Sequence, residues 1–486
     1  MGLCWVRWLF IGGPSVCRSE TALALLGLSL TAIQVWFARY PTTEMLTQYL
    51  LWAGIFALGM WLAGDGPADL WALLAGVGLG QVFLVRVDML VLLPIIGLMV
   101  LVLLIGGRKV LADRSSLLWF LVPFGGLVLH SFIHAWLQSR PYFVIHSGLG
   151  LRLLQVNWVI PVVAIVTGLV GLWLLWRYGA VLGQSIGRYR RYALFALIGV
   201  TLVFAVYGWF VRPVLGETII RADSYSELAI PLTDHENWVR LGWYLSPLGI
   251  WLGVAGICVL IWQMNRRVAT MLAIGSLFAV LYLWNLRANP HQIYAMRRYV
   301  PAVVPLFIIG GATFIGWLAR HRQTGWKIAA GVLAVLWLGG LGWSARGFVS
   351  QADYNGMTAQ LQAFDEKLEP GSVLLFNDPA PIGQGDFFGT PLKFIFGHDI
   401  YTVRDLAAIN EQDLAGAIDL WQNSGRAVYW FGDTAWPDAN GFRAQTEQYE
   451  LSSQYLEQSY EHKPETVMDG QWVLSYALLG SRTPQQ

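Results

Sequence analysis

The chain has 486 residues, of which 56% are hydrophobic and only 13% are charged. Soluble globular proteins carry roughly 25% charged residues, so this composition excludes an ordinary soluble protein. The net charge of +2 gives no reason to expect a nucleic-acid partner.

The apolar residues are gathered in long blocks that carry almost no charge. A helix needs roughly 20 such residues to cross a membrane, and 70–106 is long enough for two crossings, broken at Arg86-Val87-Asp88. We therefore expect an all-α polytopic membrane protein with about eleven transmembrane helices. The blocks are 20–38, 46–63, 70–106, 117–137, 156–176, 192–211, 243–264, 269–286, 300–318 and 327–344.

The distribution of basic residues predicts the orientation of these spans. Short loops rich in Lys and Arg face the cytoplasm, and with eleven spans nearly all such loops fall on one side. This predicts an integral protein of the inner cell membrane with a cytoplasmic N-terminus and an outer C-terminal domain. Arginines also occur in the outer loops, where two interpretations stay open. They snorkel or pair with nearby carboxylates, or they bind an anionic phosphate at the membrane surface.

Composition changes after residue 345, where charges return and no further block could span. Helical periodicity alternating with short apolar runs predicts a small extracytoplasmic α/β domain at 346–486, following a membrane domain at 1–345. Asp378 and Asp433 each follow a predicted strand, and we interpret them as loop formers in preference to ligand-binding groups. The predicted elements are helices at 351–368 and 411–424, strands at 372–376 and 427–431, and a strand or hairpin at 467–479.

Ionisable residues at the outer ends of the spans are the candidates for chemistry. Arg86 and Asp88 are the strongest pair, because charges within an apolar block are costly and suggest function. Gly76, Gly78 and Gly80 are interpreted as small residues that let helices pack closely. The stretches that stand out are 36–44, 76–88, 212–242 and 289–305.

The order of these motifs resembles the GT-C superfamily of membrane glycosyltransferases, which includes protein O-mannosyltransferases and the lipid A aminoarabinose transferase. The resemblance covers roughly residues 20–345. Three motifs carry it: an aromatic-rich Arg-Tyr-x-x-x-Glu segment, a Gly-rich span that runs into an Arg-x-Asp or Arg-Pro-Glu-like corner, and a late Arg-Tyr-x-x-Pro-x-x-Pro-like entry into a span. They lie at Arg39–Glu44, Gly76–Asp88 and Arg298–Pro305.

The resemblance implies transfer of a sugar from a polyprenyl-phosphate donor to an extracytoplasmic acceptor, which is a glycan, a lipid or a protein. Membrane lipid is the other expected partner. On this basis Arg86, Arg297 and Arg298 contact the phosphate, while Glu44 and Asp88 contact the sugar or orient the arginines. The remaining residues expected in the binding set are Arg39, His291 and Tyr299.

One departure from the family concerns the catalytic carboxylate. Members carry an acidic motif in the first outer loop, which supplies the base and often helps to bind a divalent metal. No acidic residue occurs in 1–19. Either an N-terminal part is missing, or activity is lost, or another carboxylate substitutes. The candidates for substitution are Asp223, Asp234 and Glu236; a divalent metal stays open, and no other cofactor is expected.

Two other functional classes compete with a transferase. A transporter or flippase would explain the many spans, although no inverted repeat is visible between the halves. A non-catalytic membrane scaffold descended from a glycosyltransferase would explain the missing acidic loop.

Overall fold

A computed structural model of the chain describes residues 16–40, 42–106, 115–140, 188–222, 229–286, 288–380 and 383–482, with residues 170, 173, 177 and 178. The chain divides into two compact units. We call them the helical unit (Met1–Ile219, Pro231–Val349 and Tyr460–Lys463) and the sheet unit (Ile220–Ile230, Ser350–Ser459 and Pro464–Gln486).

The first part of the chain is built from apolar helices, with one short two-stranded sheet of β1 (Ile219–Ala222) and β2 (Ala229–Leu232). Short 3-10 helices at Val87–Val91 and Tyr294–Arg298 interrupt the longer elements. The helices are α1 (Val16–Leu30), α2 (Ala32–Ala38), α3 (Thr43–Ala63), α4 (Ala68–Val85), α5 (Leu92–Gly106), α6 (Ser116–Gln138), α7 (Arg190–Val206), α8 (Arg212–Leu215), α9 (Asn237–Leu245), α10 (Pro247–Trp262), α11 (Arg266–Trp284), α12 (Val303–Ala319) and α13 (Thr324–Val349).

Six helices within the described residues are long and apolar enough to cross a membrane, or up to eight if each bent pair counts as one span. The predicted count of about eleven is therefore not confirmed. The block 20–38 bends by 69° between α1 and α2, and the α9–α10 pair bends by 104°. Helix α12 falls among the shorter apolar helices, and most of the predicted span 156–176 lies outside the described residues.

The bend between α9 and α10 has a local cause in the sequence. Ser246 adopts a positive φ of 64°, and Pro247 follows at the first position of α10. Proline lacks the N–H that would continue α9, so the chain restarts as a new helix. The Ser246 hydroxyl accepts a hydrogen bond from the Gly249 N–H at 3.0 Å, which caps that new helix.

Glycines in α4 allow the close helix packing that the sequence suggested. A Cβ on Gly76 would lie 2.5 Å from the Phe120 carbonyl oxygen of α6. A Cβ on Gly78 would lie 3.0 Å from the backbone of Gly54 in α3. Helix α4 is thus held against both neighbours, and the packing interpretation of these glycines is confirmed.

The sheet unit contains a five-stranded sheet in the order β4-β3-β5-β7-β6. Strand β3 is parallel to β4 and β5, while β7 is antiparallel to β5 and β6. Apolar side chains of the central strands are buried on both faces, as expected where helices cover a sheet on both sides. The elements are α14 (Met357–Asp365), β3 (Val373–Asn377), α15 (Gln384–Phe387), α16 (Gly389–Phe394), β4 (Asp399–Val403), α17 (Glu411–Asn423), β5 (Val428–Phe431), α18 (Ala435–Ala439), β6 (Ala444–Leu456) and β7 (Val467–Leu479).

Candidate functional site

Glu44 lies in the first turn of α3 and is completely buried. A carboxylate is favoured there because the N-terminal end of a helix carries partial positive charge. Its Oε1 accepts hydrogen bonds from two arginines that are distant in sequence, Arg86 Nη1 and Arg297 Nε, the latter at 2.7 Å. Glu44 therefore holds the end of α4 and the loop before α12 together.

Arg86 and Asp88 form a forked ion pair where α4 ends. Arg86 adopts an extended backbone (φ −146°, ψ 127°), so the chain leaves the helix and Asp88 follows two residues later in a 3-10 turn. Arg86 Nε donates to Asp88 Oδ1 at 2.9 Å, and Nη2 donates to Oδ2 at 2.8 Å. This bidentate geometry is the strongest arrangement for a guanidinium and a carboxylate.

Asp88 also receives two further donors from other parts of the chain. Arg298 Nη1 donates to its Oδ2 at 2.6 Å, and the Tyr282 hydroxyl donates to the same oxygen at 2.9 Å. We call Glu44, Arg86, Asp88, Arg297 and Arg298 the arginine–carboxylate cluster. Three guanidinium charges against two carboxylate charges leave this cluster with a formal charge of +1.

Exposure within the cluster differs between its arginines. The Arg86 side chain is 6% exposed, whereas those of Arg297 and Arg298 are 29% and 22% exposed. Arg297 donates to Glu44 only through Nε, and within the described part of the chain its two Nη groups form no hydrogen bond. Its guanidinium lies 4.7 Å from the centre of the Tyr294 ring. The outer edge of Arg297 is thus oriented and open to an anion.

Helix α3 also positions the loop that carries Arg297 and Arg298. Gln48 Nε2 donates to the Val300 carbonyl at 2.9 Å, and Trp52 Nε1 donates to the Pro301 carbonyl at 2.9 Å. Tyr299 is completely buried, with its hydroxyl 3.3 Å from the Tyr282 carbonyl. Tyr299 therefore lies in the interior of the helical unit, and its assignment to the binding set stays a prediction.

The His291 ring stacks on that of Tyr294, with ring centres 4.9 Å apart, and the Tyr460 ring centre lies 6.1 Å away. Burial lowers the pKa of His291 below its usual range. Its Nδ1 is buried and forms no hydrogen bond with any described residue. His291 is linked to Arg297 through the shared Tyr294 ring, at the margin of the cluster.

Arg39 is placed with other partners. Its Nη1 donates to the Val349 carbonyl at 3.0 Å, and its guanidinium lies 5.4 Å from the Trp36 ring centre. These contacts connect α2 to the end of α13, and no hydrogen bond joins Arg39 to the cluster. Its assignment to the binding set stays a prediction without support from this geometry.

The two described candidates for a substitute base already have structural partners. Asp234 Oδ1 accepts from the Leu286 N–H at 2.8 Å and from Asn237 Nδ2 at 3.2 Å. Glu236 pairs with Arg240, whose Nε donates to Glu236 Oε2 at 2.9 Å. The third candidate, Asp223, lies outside the described residues.

The donor set of the described residues does not fit a divalent metal. Among them, no three His, Cys, Asp or Glu side chains are grouped as a metal site would require. In the cluster, both carboxylates are engaged by guanidinium groups, which would repel a cation. The arrangement is suited to a negatively charged group approaching Arg297 and Arg298.

Sequence reasoning missed Tyr282 and Gln48, while Tyr294 lies within the stretch 289–305 that it singled out. Tyr282 occurs near the end of an apolar block, where tyrosines are common at the membrane interface, so nothing distinguished it. Gln48 offered a weak signal, because an amide inside a span needs a polar partner.

The sequence matches no model of a known protein family, and it has no significant match among curated proteins.

Proposed function

We propose that this protein is a membrane glycosyltransferase that moves a sugar from a polyprenyl-phosphate donor to an acceptor hydroxyl outside the cytoplasm. The observation that carries the proposal is the outer edge of Arg297, held by Glu44 in a cluster with surplus positive charge. A guanidinium edge with two N–H donors matches the oxygens of a phosphate.

The cluster would act on the leaving group. The acceptor oxygen forms a bond to the anomeric carbon while the bond from that carbon to the phosphate oxygen breaks. Negative charge then develops on the lipid phosphate, where Arg297 and Arg298 stabilise it. The buried Arg86–Asp88 fork keeps Arg298 in position through the shared oxygen Asp88 Oδ2.

The acceptor proton must pass to a carboxylate. Asp234 and Glu236 are the proposed acceptors. Each would first have to give up part of its present hydrogen bonding to Leu286 or Arg240.

The proposal includes a topology. With about eleven spans of roughly 20 residues each, the N-terminus lies in the cytoplasm and residues 346–486 lie outside. The arginine–carboxylate cluster is then on the outer side of the inner membrane, where lipid-linked sugars are consumed in the GT-C superfamily that the chain resembles.

Binding of polyprenyl phosphate to the full chain in lipid nanodiscs tests the phosphate assignment. Arg297→Ala should weaken binding by about tenfold to a hundredfold, since a charge-assisted hydrogen bond contributes roughly 1.5–3 kcal/mol. Arg212→Ala is the matched control, because Arg212 donates to the carbonyls of Leu283 and Trp284 and has no role in the cluster. Equal affinities for the two variants would remove the assignment.

Sugar transfer by the same preparation, with radiolabelled polyprenyl-phosphate hexose and membrane extract as acceptor, tests the enzyme. Arg297-dependent binding without any transfer would favour the scaffold alternative. Movement of the intact lipid-linked sugar between leaflets, with no chemical change, would favour the flippase.

A further inference from the structure

The sheet unit has a crevice where the segments that follow two neighbouring parallel strands, β3 and β5, turn to opposite faces of the sheet. Strand β3 is central; the chain leaves it to form β4 on one side and later returns to form β5 on the other. The segment after β3 packs Phe388 and Leu392 on one face of the sheet. The segment after β5 packs Trp436 and Phe442 on the opposite face. Ligands of open α/β sheets bind at such a point, beyond the carboxyl ends of the strands.

A cavity of about 370 Å³ opens at this edge. Such a volume lies in the range of roughly 300–1,000 Å³ that is usual for small-molecule sites. Its lining residues are Gln384, Gly432, Asp433, Thr434, Thr446, Val473 and Ser475.

The long β6–β7 hairpin supplies one wall of this cavity. Phe431, the last residue of β5, pairs with Tyr476 of the antiparallel strand β7. The part of β7 from Ser475 toward its N-terminal end therefore extends past β5. Thr446 is opposite Ala477, and side chains alternate along a strand, so Thr446 and Ser475 share one face. Past the end of β5, β6 is the described strand that pairs with β7, and this face carries Ser475 and Val473, which both line the cavity.

The loop after β5 supplies the opposite wall. Gly432 has a φ of +115°, a conformation that favours glycine, and its N–H donates to the Ser475 carbonyl at 2.9 Å. This turn presents Asp433 and Thr434 directly after the strand. Asp433 Oδ1 accepts from the Ala435 N–H at 3.1 Å, which fixes the carboxylate at the cavity.

The hydrogen-bonding groups of the lining are neutral except for one carboxylate. Within the described residues, the hydroxyls of Thr434, Thr446 and Ser475 form no hydrogen bond, so they are available as donors and acceptors. The lining contains no Lys or Arg, and Asp433 would repel a phosphate. A ligand with several uncharged hydroxyl groups satisfies this set best.

We propose that this cavity binds a neutral sugar unit, with Asp433 accepting from sugar hydroxyls and the three side-chain hydroxyls completing the contacts. The site is separate from the arginine–carboxylate cluster. It goes beyond the transferase proposal and is tested without reference to transfer activity.

Saturation-transfer NMR with the full chain in nanodiscs tests the site. The probes are the methyl glycosides of glucose, galactose, mannose and N-acetylglucosamine, together with glucose 6-phosphate. At least one neutral glycoside should receive saturation at millimolar concentration, and glucose 6-phosphate should receive none.

Asp433→Asn should lower affinity for that glycoside by about tenfold, because it removes a charged acceptor. Asparagine keeps an oxygen for the Ala435 N–H, so the turn is retained. Thr446→Val, which removes a hydroxyl and keeps the shape, should weaken binding as well. Asp413→Asn, at an exposed carboxylate of α17 outside the lining, is the control and should leave binding unchanged.

Three results would each overturn the proposal: no saturation of any neutral glycoside, preference for the phosphorylated probe, or equal binding by the Asp433→Asn and Asp413→Asn proteins. Polyprenyl phosphate binding, measured in the same nanodiscs, reports on the helical unit independently.

Discussion

Glu44 is one buried carboxylate at which two ion pairs of the helical unit meet. Glu44 is 0% exposed, and its negative charge forms ion pairs with the guanidinium groups of Arg86 and Arg297. These two arginines come from different elements. A buried ion costs several kcal/mol to desolvate unless partners compensate it, so loss of one member leaves the others uncompensated. Glu44 thus sets the stability of the cluster as well as its geometry.

Glu44→Gln should lower the free energy of unfolding by about 3 kcal/mol, because Arg86 keeps its charge and loses a charged partner. Denaturant titration of the protein in detergent micelles measures this change. Asp65→Asn is the control: Asp65 pairs with Arg267, both side chains are partly exposed, and about 1 kcal/mol or less is expected. Equal losses for the two variants would show that Glu44 has no special structural role.

The residues of the cluster could be selected from the sequence, whereas their mutual contacts could not. Glu44, Arg86 and Asp88 were visible because charge is costly beside apolar blocks. Their bonds to Arg297 and Arg298 span more than 200 positions and depend on how helices pack. Arg39 had the same sequence signal and yet donates to a backbone carbonyl.

Among the helices, α10 and α12 meet at glycines. A Cβ on Gly256 would lie 1.6 Å from the Gly310 carbonyl oxygen, and a Cβ on Gly310 would lie 2.5 Å from the Gly253 carbonyl oxygen. Small residues at such a crossing let two backbones approach, and dispersion contacts then stabilise the pair. The position of α12 fixes the preceding loop that carries Arg297 and Arg298.

Gly256→Val should separate α10 from α12 and lower the free energy of unfolding by about 2 kcal/mol or more, as overpacking does in well-packed cores. Polyprenyl phosphate binding should weaken too, since the loop before α12 would shift. Gly331→Ala in α13 is the control, because no atom lies within 4 Å of its added Cβ. A Gly256→Val protein that unfolds like the control would contradict the packing argument.

Element prediction worked best where one property decides the structure. Strands β3 and β5 were predicted within one or two residues, because short buried apolar runs have few alternatives. Strand β4 was missed, since only Val403 in it is buried and its pattern is weak. The bends at Thr31 and Ser246 were missed because hydropathy depends on composition alone. It carries no information about the direction of a helix axis.

For the whole molecule, the proposed orientation predicts which surfaces are accessible from outside the cell. In a background with Cys4, Cys17 and Cys258 replaced by Ser, Ser424→Cys in the sheet unit should react with a membrane-impermeant maleimide in intact cells. Gln323→Cys, in the basic loop between α12 and α13, should react only after permeabilisation. Both positions are exposed, so burial does not confound the comparison.

The reverse labelling pattern would place the arginine–carboxylate cluster on the cytoplasmic side and end the transferase proposal in its present form. Labelling of both positions in intact cells would show an even number of membrane crossings between them.

The four residues Tyr460–Lys463 belong to the helical unit although the chain on both sides of them belongs to the sheet unit. The Tyr460 carbonyl accepts from the buried Arg240 at 2.7 Å, and Lys463 Nζ donates to the Ser344 carbonyl at 2.9 Å. A gene fragment that stops at Val349 would encode α1 to α13 and still leave Arg240 without this acceptor. Expression of the two halves as independent polypeptides would therefore yield a first half that lacks the Tyr460 acceptor and the Lys463 donor.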